Sequence, residues 1–236
     1  MTLNQIAEDI AYKLGDQFND TLKESIKHTM IFYRSKYLRD DDKRNGGLSI
    51  HLYQTAVMQL ETVNKLEDIG ASIECLLDGG FCVTVIDGVK YQIKKTKKKL
   101  PIPVRLKTSG KTDYKYVGST DRTTRFKYVD TDMLQFKSAL PYQNSATIFF
   151  FISNNYLYLL NNKDICDVLL EAVYENPRDV FEACGEDGFA DDQEFPLPLD
   201  MIVSIADNIV TKTYPLRGQD GQVINLQKDD KDQNNV

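Results

Sequence analysis

Residues 146–160 read ATIFFFISNNYLYLL. Side chains of a strand point alternately to its two faces. The five successive apolar residues Ile148–Ile152 therefore supply both faces, and such a strand is buried on both. Asn154-Asn155 marks a hairpin onto Tyr156–Leu160. A chain carrying this stretch needs a sheet that is covered above and below.

Further strand signals surround it. FCVTVI (81–86) and KYQIKK (90–95) flank Asp87-Gly88, a strong hairpin signal because glycine tolerates positive φ. IPVRLK (102–107) is expected to be a strand start or an edge, given its prolines. YKYVG (114–118) and RFKYV (125–129) flank the turn STDRT. In 50–63, Ile50, Leu52, Ala56, Met58 and Leu60 alternate, which predicts a strand, although a short helix fits nearly as well. Residues 165–174 can be read as helix, but Val168, Leu169, Val173 and Tyr174 favour a strand. Pro177 suits the first turn of a short helix reaching about Cys184.

Helical patterns lie on either side. Leu3, Ile6, Ala7, Ile10, Ala11 and Leu14 form one stripe, stopped by Gly15. TLKE (21–24) is a capping box that predicts a second helix beginning near Thr21, with the stripe Leu22, Ile26, Met30, Tyr33 and Tyr37. This helix should fade in RDDDKRNGG. A last helix opens near Pro198. Its apolar residues, from Leu199 to Val210, spread over more than one stripe, predicting cover by the core and by a neighbouring subunit. Helices and strands are segregated, so the expected class is α+β. The expected regions are helical 1–48, a β-rich antiparallel body 49–184, an acidic loop with the closing helix 185–214, and a polar, flexible tail 215–236.

At 42% hydrophobic and 27% charged residues, the composition is that of a folded globular chain. There is no run of about 18 apolar residues to cross a membrane and no signal-like start. Cys75, Cys82, Cys166 and Cys184 include no C-x-x-C pair and are expected to be reduced, buried thiols.

Charge is segregated. Residues 90–127 hold thirteen Lys or Arg against two Asp, a local +11 in a chain whose formal charge is −6. The candidate basic cluster, facing a partner or a polyanion, is Lys94, Lys95, Lys97, Lys98, Lys99, Arg105, Lys107 and Lys111. Its run KKTKKK is expected to project from the fold. The candidate acidic partner face is Glu186, Asp187, Asp191, Asp192 and Glu194. Such asymmetry speaks to association rather than to fold.

Catalytic signals are weak. His28 and His51 have no i, i+4 partner, and there is no phosphate loop or nucleophile elbow. Asp40–Asp42 and Asp191–Asp192 could hold Mg²⁺ only in principle. Runs of acids in turns are far more often solvated. Cys184 has no evident histidine partner. No catalytic residue, cofactor or metal is expected.

Four stretches together carry a resemblance: LNQIAEDIAYKLGDQFNDTLKESIKHTMIFYRSKYLRDDDKRNG, PIPVRLKTSGKTDYKYVGSTDRTTRFKYVDTDML, VLLEAVYENPRDV and EFPLPLDMIVSIADNIV. Their order and short motifs resemble the virion neck and tail ring proteins, the head-to-tail connectors, of crAss-like short-tailed phages. The resemblance spans residues 3–213. It implies a structural, non-enzymatic protein that forms a homo-oligomeric ring between portal and tail around the DNA channel. It implies portal and other neck or tail proteins as partners, a place in the virion, and the host cytoplasm during assembly. In such a ring the basic segment has two possible homes, an acidic surface of a neighbour or the genomic DNA in the channel. Passing DNA must slide, which favours the protein role. The competing reading is a nucleic-acid-binding module using residues 90–127.

Overall fold

The computed structural model describes residues 1–63, 76–78, 81–86, 89–107, 112–130, 147–161, 165–184 and 191–214. The α+β class holds, and the chain forms two compact units. One comprises Met1–Asp40 with Ala190–Val236, the other Asp41–Phe189.

The second unit is built on the sheet. Its strands are β1 (Gln54–Thr62), β2 (Leu76–Asp78), β3 (Phe81–Ile86), β4 (Val89–Thr96), β5 (Tyr116–Gly118), β6 (Lys127–Tyr128), β7 (Phe149–Ser153), β8 (Tyr156–Asn161) and β9 (Asp167–Ala172). The main path runs β5-β9-β1-β4-β8-β7-β6, and β3 joins through β4 and carries β2. Every pairing is antiparallel except β6 with β7. One short helix, α3 (Pro177–Cys184), follows β9 and packs on β1.

The all-apolar run of β7 divides between two cores, as alternation requires. Ile148 and Phe150 join Ala56, Met58, Leu159 and Leu170 on one face. Phe149 and Phe151 join Ile93, Tyr158 and Leu160 on the other, where Phe151 and Tyr158 stack at 4.9 Å. Full burial of such side chains stabilises by about 1.5–3 kcal/mol each. Asn154 and Asn155 both take positive φ, 51° and 63°, and close β7 onto β8 with Ser153 opposite Tyr156. Ile86 pairs with Val89 across the expected Asp87-Gly88 hairpin, whose turn residues lie outside the described residues.

Two strand expectations change. β1 begins at Gln54, because Ile50–Leu52 forms a 3₁₀ turn that leaves Ile50 66% exposed. Ala56, Met58 and Leu60 do point inward, as their alternation requires. Residues 102–107 form no regular strand. The Val104 N–H donates to the Val173 carbonyl and the Glu175 N–H to the Ile102 carbonyl. Pro101 and Pro103 have no N–H, so the ladder cannot propagate beyond this bridge.

The first unit is helical: α1 (Leu3–Lys13), most of α2 (Asp20–Asn45) and α4 (Leu199–Asn208), which runs into a π-helical turn Ile209–Thr213. α1 buries Leu3, Ile6, Ala7, Ile10 and Ala11. Thr2 and Gln5 form its capping box. At its end Gly15 takes φ 79°, and the Gly15 and Asp16 N–H groups return to the Tyr12 and Ala11 carbonyls. That is the glycine-closed stop expected from the sequence.

α2 differs from expectation in its cap and in its passage through the acidic run, and it ends inside RDDDKRNGG just before the two glycines. It starts at Asp20, capped by the Asn19 carboxamide oxygen, which accepts the Leu22 N–H, and not by a box at Thr21. The helix continues through the acidic run to Asn45. There Lys43 and Arg44 sit favourably in the last turn, and Gly46 follows at φ 69°. Its buried face is Ile26, Met30, Arg34, Leu38 and Asp42, one residue every four, while Tyr33 and Tyr37 are half-buried. The two tyrosines instead offer hydroxyls to the closing segment. Tyr37 accepts from Asn208, and Tyr33 shares a hydrogen bond with Thr213.

Candidate partner-docking surfaces

β4 carries the start of the basic segment, with β8 along one edge and β3 and β1 in succession along the other. Both of its edges are therefore paired. The expected projection of Lys94 does not hold: it is 7% exposed, and its ammonium donates to the Ile165 carbonyl at 2.8 Å. Lys95 pairs with Glu61 at 3.5 Å and lies over the Tyr156 ring. Lys97 donates to Gln59 Oε1 at 3.0 Å. Lys98 donates to the Glu182 carbonyl at 2.6 Å, in the last turn of α3, where the helix dipole favours a cation. Lys97, Lys98 and Lys99 all keep exposed stems. The Arg105 side chain is 89% exposed and 3.7 Å from Asp113. Lys107 exposes its side chain, while its backbone N–H donates to Asp42 Oδ2 at 2.6 Å. Lys111 lies outside the described residues.

The acidic face is also partly committed. Glu186 and Asp187 lie outside the described residues. Asp191 accepts the Lys27 ammonium at 2.8 Å, and Lys27 also reaches Glu24 at 2.6 Å. Burial by itself would lower the Lys27 pKa. Its hydrogen bonds to Asp191 and Glu24, with their charges, outweigh this and hold it above the ordinary lysine value. Asp192 accepts from Asn4 Nδ2, and the Asn4 N–H reaches the Asp191 carbonyl. These two acids thus sit at the N-terminus of α1, the positive end of its dipole. Glu194 is exposed and bridges to Thr2 through backbone.

Two polar centres escaped the sequence reading. Glu171 on β9 is 7% exposed and receives Lys115 at 2.9 Å and Arg122 at 3.0 Å. Lys115 also lies 4.2 Å from the Tyr53 ring centre. Both cations stand in the basic segment, but nothing local marks so distant a carboxylate as their partner. Arg34 is wholly buried. Its Nε donates to the Pro196 carbonyl, and its guanidinium lies 6.0 Å from the Phe195 ring centre. Burial pushes its pKa down to about 9, which leaves it cationic at neutral pH. Its place on the four-residue spacing of α2 was the one available signal.

His28 and His51 are surface residues. Neither Cys166 nor Cys184 is in a disulfide, but Cys166 is exposed and Cys184 half-buried, so burial does not hold for these two. A short polar side chain at a strand entry or helix end does not have to face the core. Asp42 and Asp191 are committed to Lys107 and Lys27. Among the described residues no group of three or more His, Cys, Asp or Glu could hold a metal ion. No described helix is long and apolar enough to cross a membrane. What the side chains build is a set of charged and aliphatic surfaces.

A family model described as phage tail ring protein 2, of the crAss-like phages, matches residues 5–231. The chain belongs to this family. Tail ring protein 2 is a structural protein of the phage tail, so its place is in the virion. Among curated proteins none matches the chain. In a tail ring protein the charged segments are candidates for contact with other tail proteins, and their internal ties define how much of each is left to offer. On the basic side that is Lys99, Arg105, Lys107 and the exposed stems of Lys97 and Lys98. On the acidic side, within 191–194, it is chiefly Glu194.

Proposed function

We propose that this chain assembles with copies of itself into a closed ring in the phage neck or tail, joining the portal to the tail around the DNA channel, and that it does so without catalysis. The observation that carries the reading is the family match over residues 5–231. The side-chain chemistry supports it. The carboxylates that a hydrolase would need, Asp42 and Asp191, are tied to Lys107 and Lys27. Opposite charge on two parts of one chain suits the head-to-tail contact of a ring, where one surface of each copy meets a different surface of the next. Docking through the portal and neighbouring tail proteins, and assembly in the host cytoplasm, follow from the same reading. The alternative, a nucleic-acid arm at 90–127, loses support from the burial of Lys94 and the pairing of Lys95. Imaging purified particles tests the proposal. The expected result is a ring of this chain on the particle axis at the neck or tail. Density for a single copy, or none, overturns it.

A further inference from the structure

α4 exposes two large aliphatic residues one turn apart, Leu199 at 62% and Val203 at 51%. Asp207 continues the same helix face, and Asp200 flanks it; both are exposed. The inward residues Ile202, Ile205, Ala206 and Ile209 are buried, and the outer pair is not. On the sheet unit, residues 97–107 show the inverse pattern. Ile102 is 51% exposed, between exposed Lys97–Lys99 on one side and Arg105 and Lys107 on the other. Leu100, Val104 and Leu106 anchor this stretch by burial, and its backbone is fixed to Tyr174 and Asp42. It therefore presents its aliphatic centre and basic rim on a fixed backbone.

We infer that the outer face of α4 in one copy docks on residues 97–107 of the next, with Leu199 and Val203 against Ile102 and Asp200 and Asp207 among the lysines. The charge complementarity argues for the occupant. An acidic, aliphatic helix face repels a phosphate backbone. A ring needs two unlike, mutually fitting surfaces on one chain, and these two are opposite in sign and alike in having an aliphatic centre. The inference rests on the ring reading and assigns the surfaces that close it.

Exposed side chains allow the test without disturbing the fold. Self-association of the full chain is measured by sedimentation for the wild type, for Asp200→Lys with Asp207→Lys, for Lys99→Glu with Lys107→Glu, and for the four changes combined. Each pair is expected to weaken association by about tenfold or more, and the combination to return it to within about threefold of wild type. Circular dichroism should be unchanged throughout. A photoreactive residue at 203, in a mixture with ¹⁵N-labelled chain, should crosslink to a peptide within 97–107 of the other copy. Reversals that leave association unchanged, a combination that stays weak, crosslinks confined to one copy, or a wild type that remains monomeric each overturn this surface. The ring itself stands or falls separately, on the imaged particle.

Discussion

In the helical unit Tyr12, Phe18, Phe32, Leu199 and Val203 are all more than half exposed, whereas the sheet unit buries Phe149, Phe150 and Phe151 to within 2%. The difference follows from geometry. A helix buries one stripe and leaves the rest of its circumference outside. A central strand has two faces, and here each has a core against it. The charged residues divide in the same way. Lys27 with Asp191 ties a loop to a helix, while Glu171 on β9 holds two cations. Single exposed apolar side chains are ordinary on any protein surface, and the pair Leu199 and Val203 stands out because the two lie one turn apart on one helix.

The sharpest way to break this comparison is to truncate one residue from each side. Phe150→Ala should destabilise the sheet unit by about 3–5 kcal/mol, and Val203→Ala should change the stability of the dissociated chain by under about 0.5 kcal/mol. Urea unfolding measures both, and similar values would erase the contrast. Next in size is Asp42→Ala. It removes the acceptor of the part-buried Lys107 N–H and should destabilise by about 1 kcal/mol, with loss of hydrogen-exchange protection at that amide.

Alkali should act on both units. Burial raises the pKa of Tyr114 and Tyr174 in the sheet unit. A group whose folded pKa lies above its unfolded value contributes stability below the unfolded value and loses it as pH rises. The sheet unit should therefore weaken above about pH 10, with tyrosinate absorbance appearing together with loss of circular dichroism. Lys27 has the same sign, so its tie to Asp191 and Glu24 should loosen above the ordinary lysine pKa. Lys27→Met should flatten that part of the helical unit's pH profile. The smallest effect is expected at the hairpin. Asn155→Gly relieves a positive φ and should raise the urea midpoint by the equivalent of about 0.5 kcal/mol.

Much of the architecture was legible because it is local. The stripe of α1, its glycine stop, the two hairpins and the double-faced run at 148–152 depend only on periodicity and turn chemistry. The cap of α2 was misassigned because Thr21 and Asn19 both offer caps, and only the backbone path selects between them. The acidic run reads as a turn but is helical, and Asp42 looks solvated until Lys107 is seen to donate to it. The basic segment was visible as composition, but its inward and outward members were not.

Sequence alone determined the segregation of helix from strand, the opposite charge of two regions and the motifs by which the family is recognised, because each is written in neighbouring residues. Only the tertiary structure decided that Lys94 turns in while Lys99 and Arg105 stay out, that Glu171 gathers Lys115 and Arg122, and that α4 leaves Leu199 and Val203 uncovered. Those outcomes depend on which strand lies beside which, and pairings across a hundred residues leave no periodic trace in the chain.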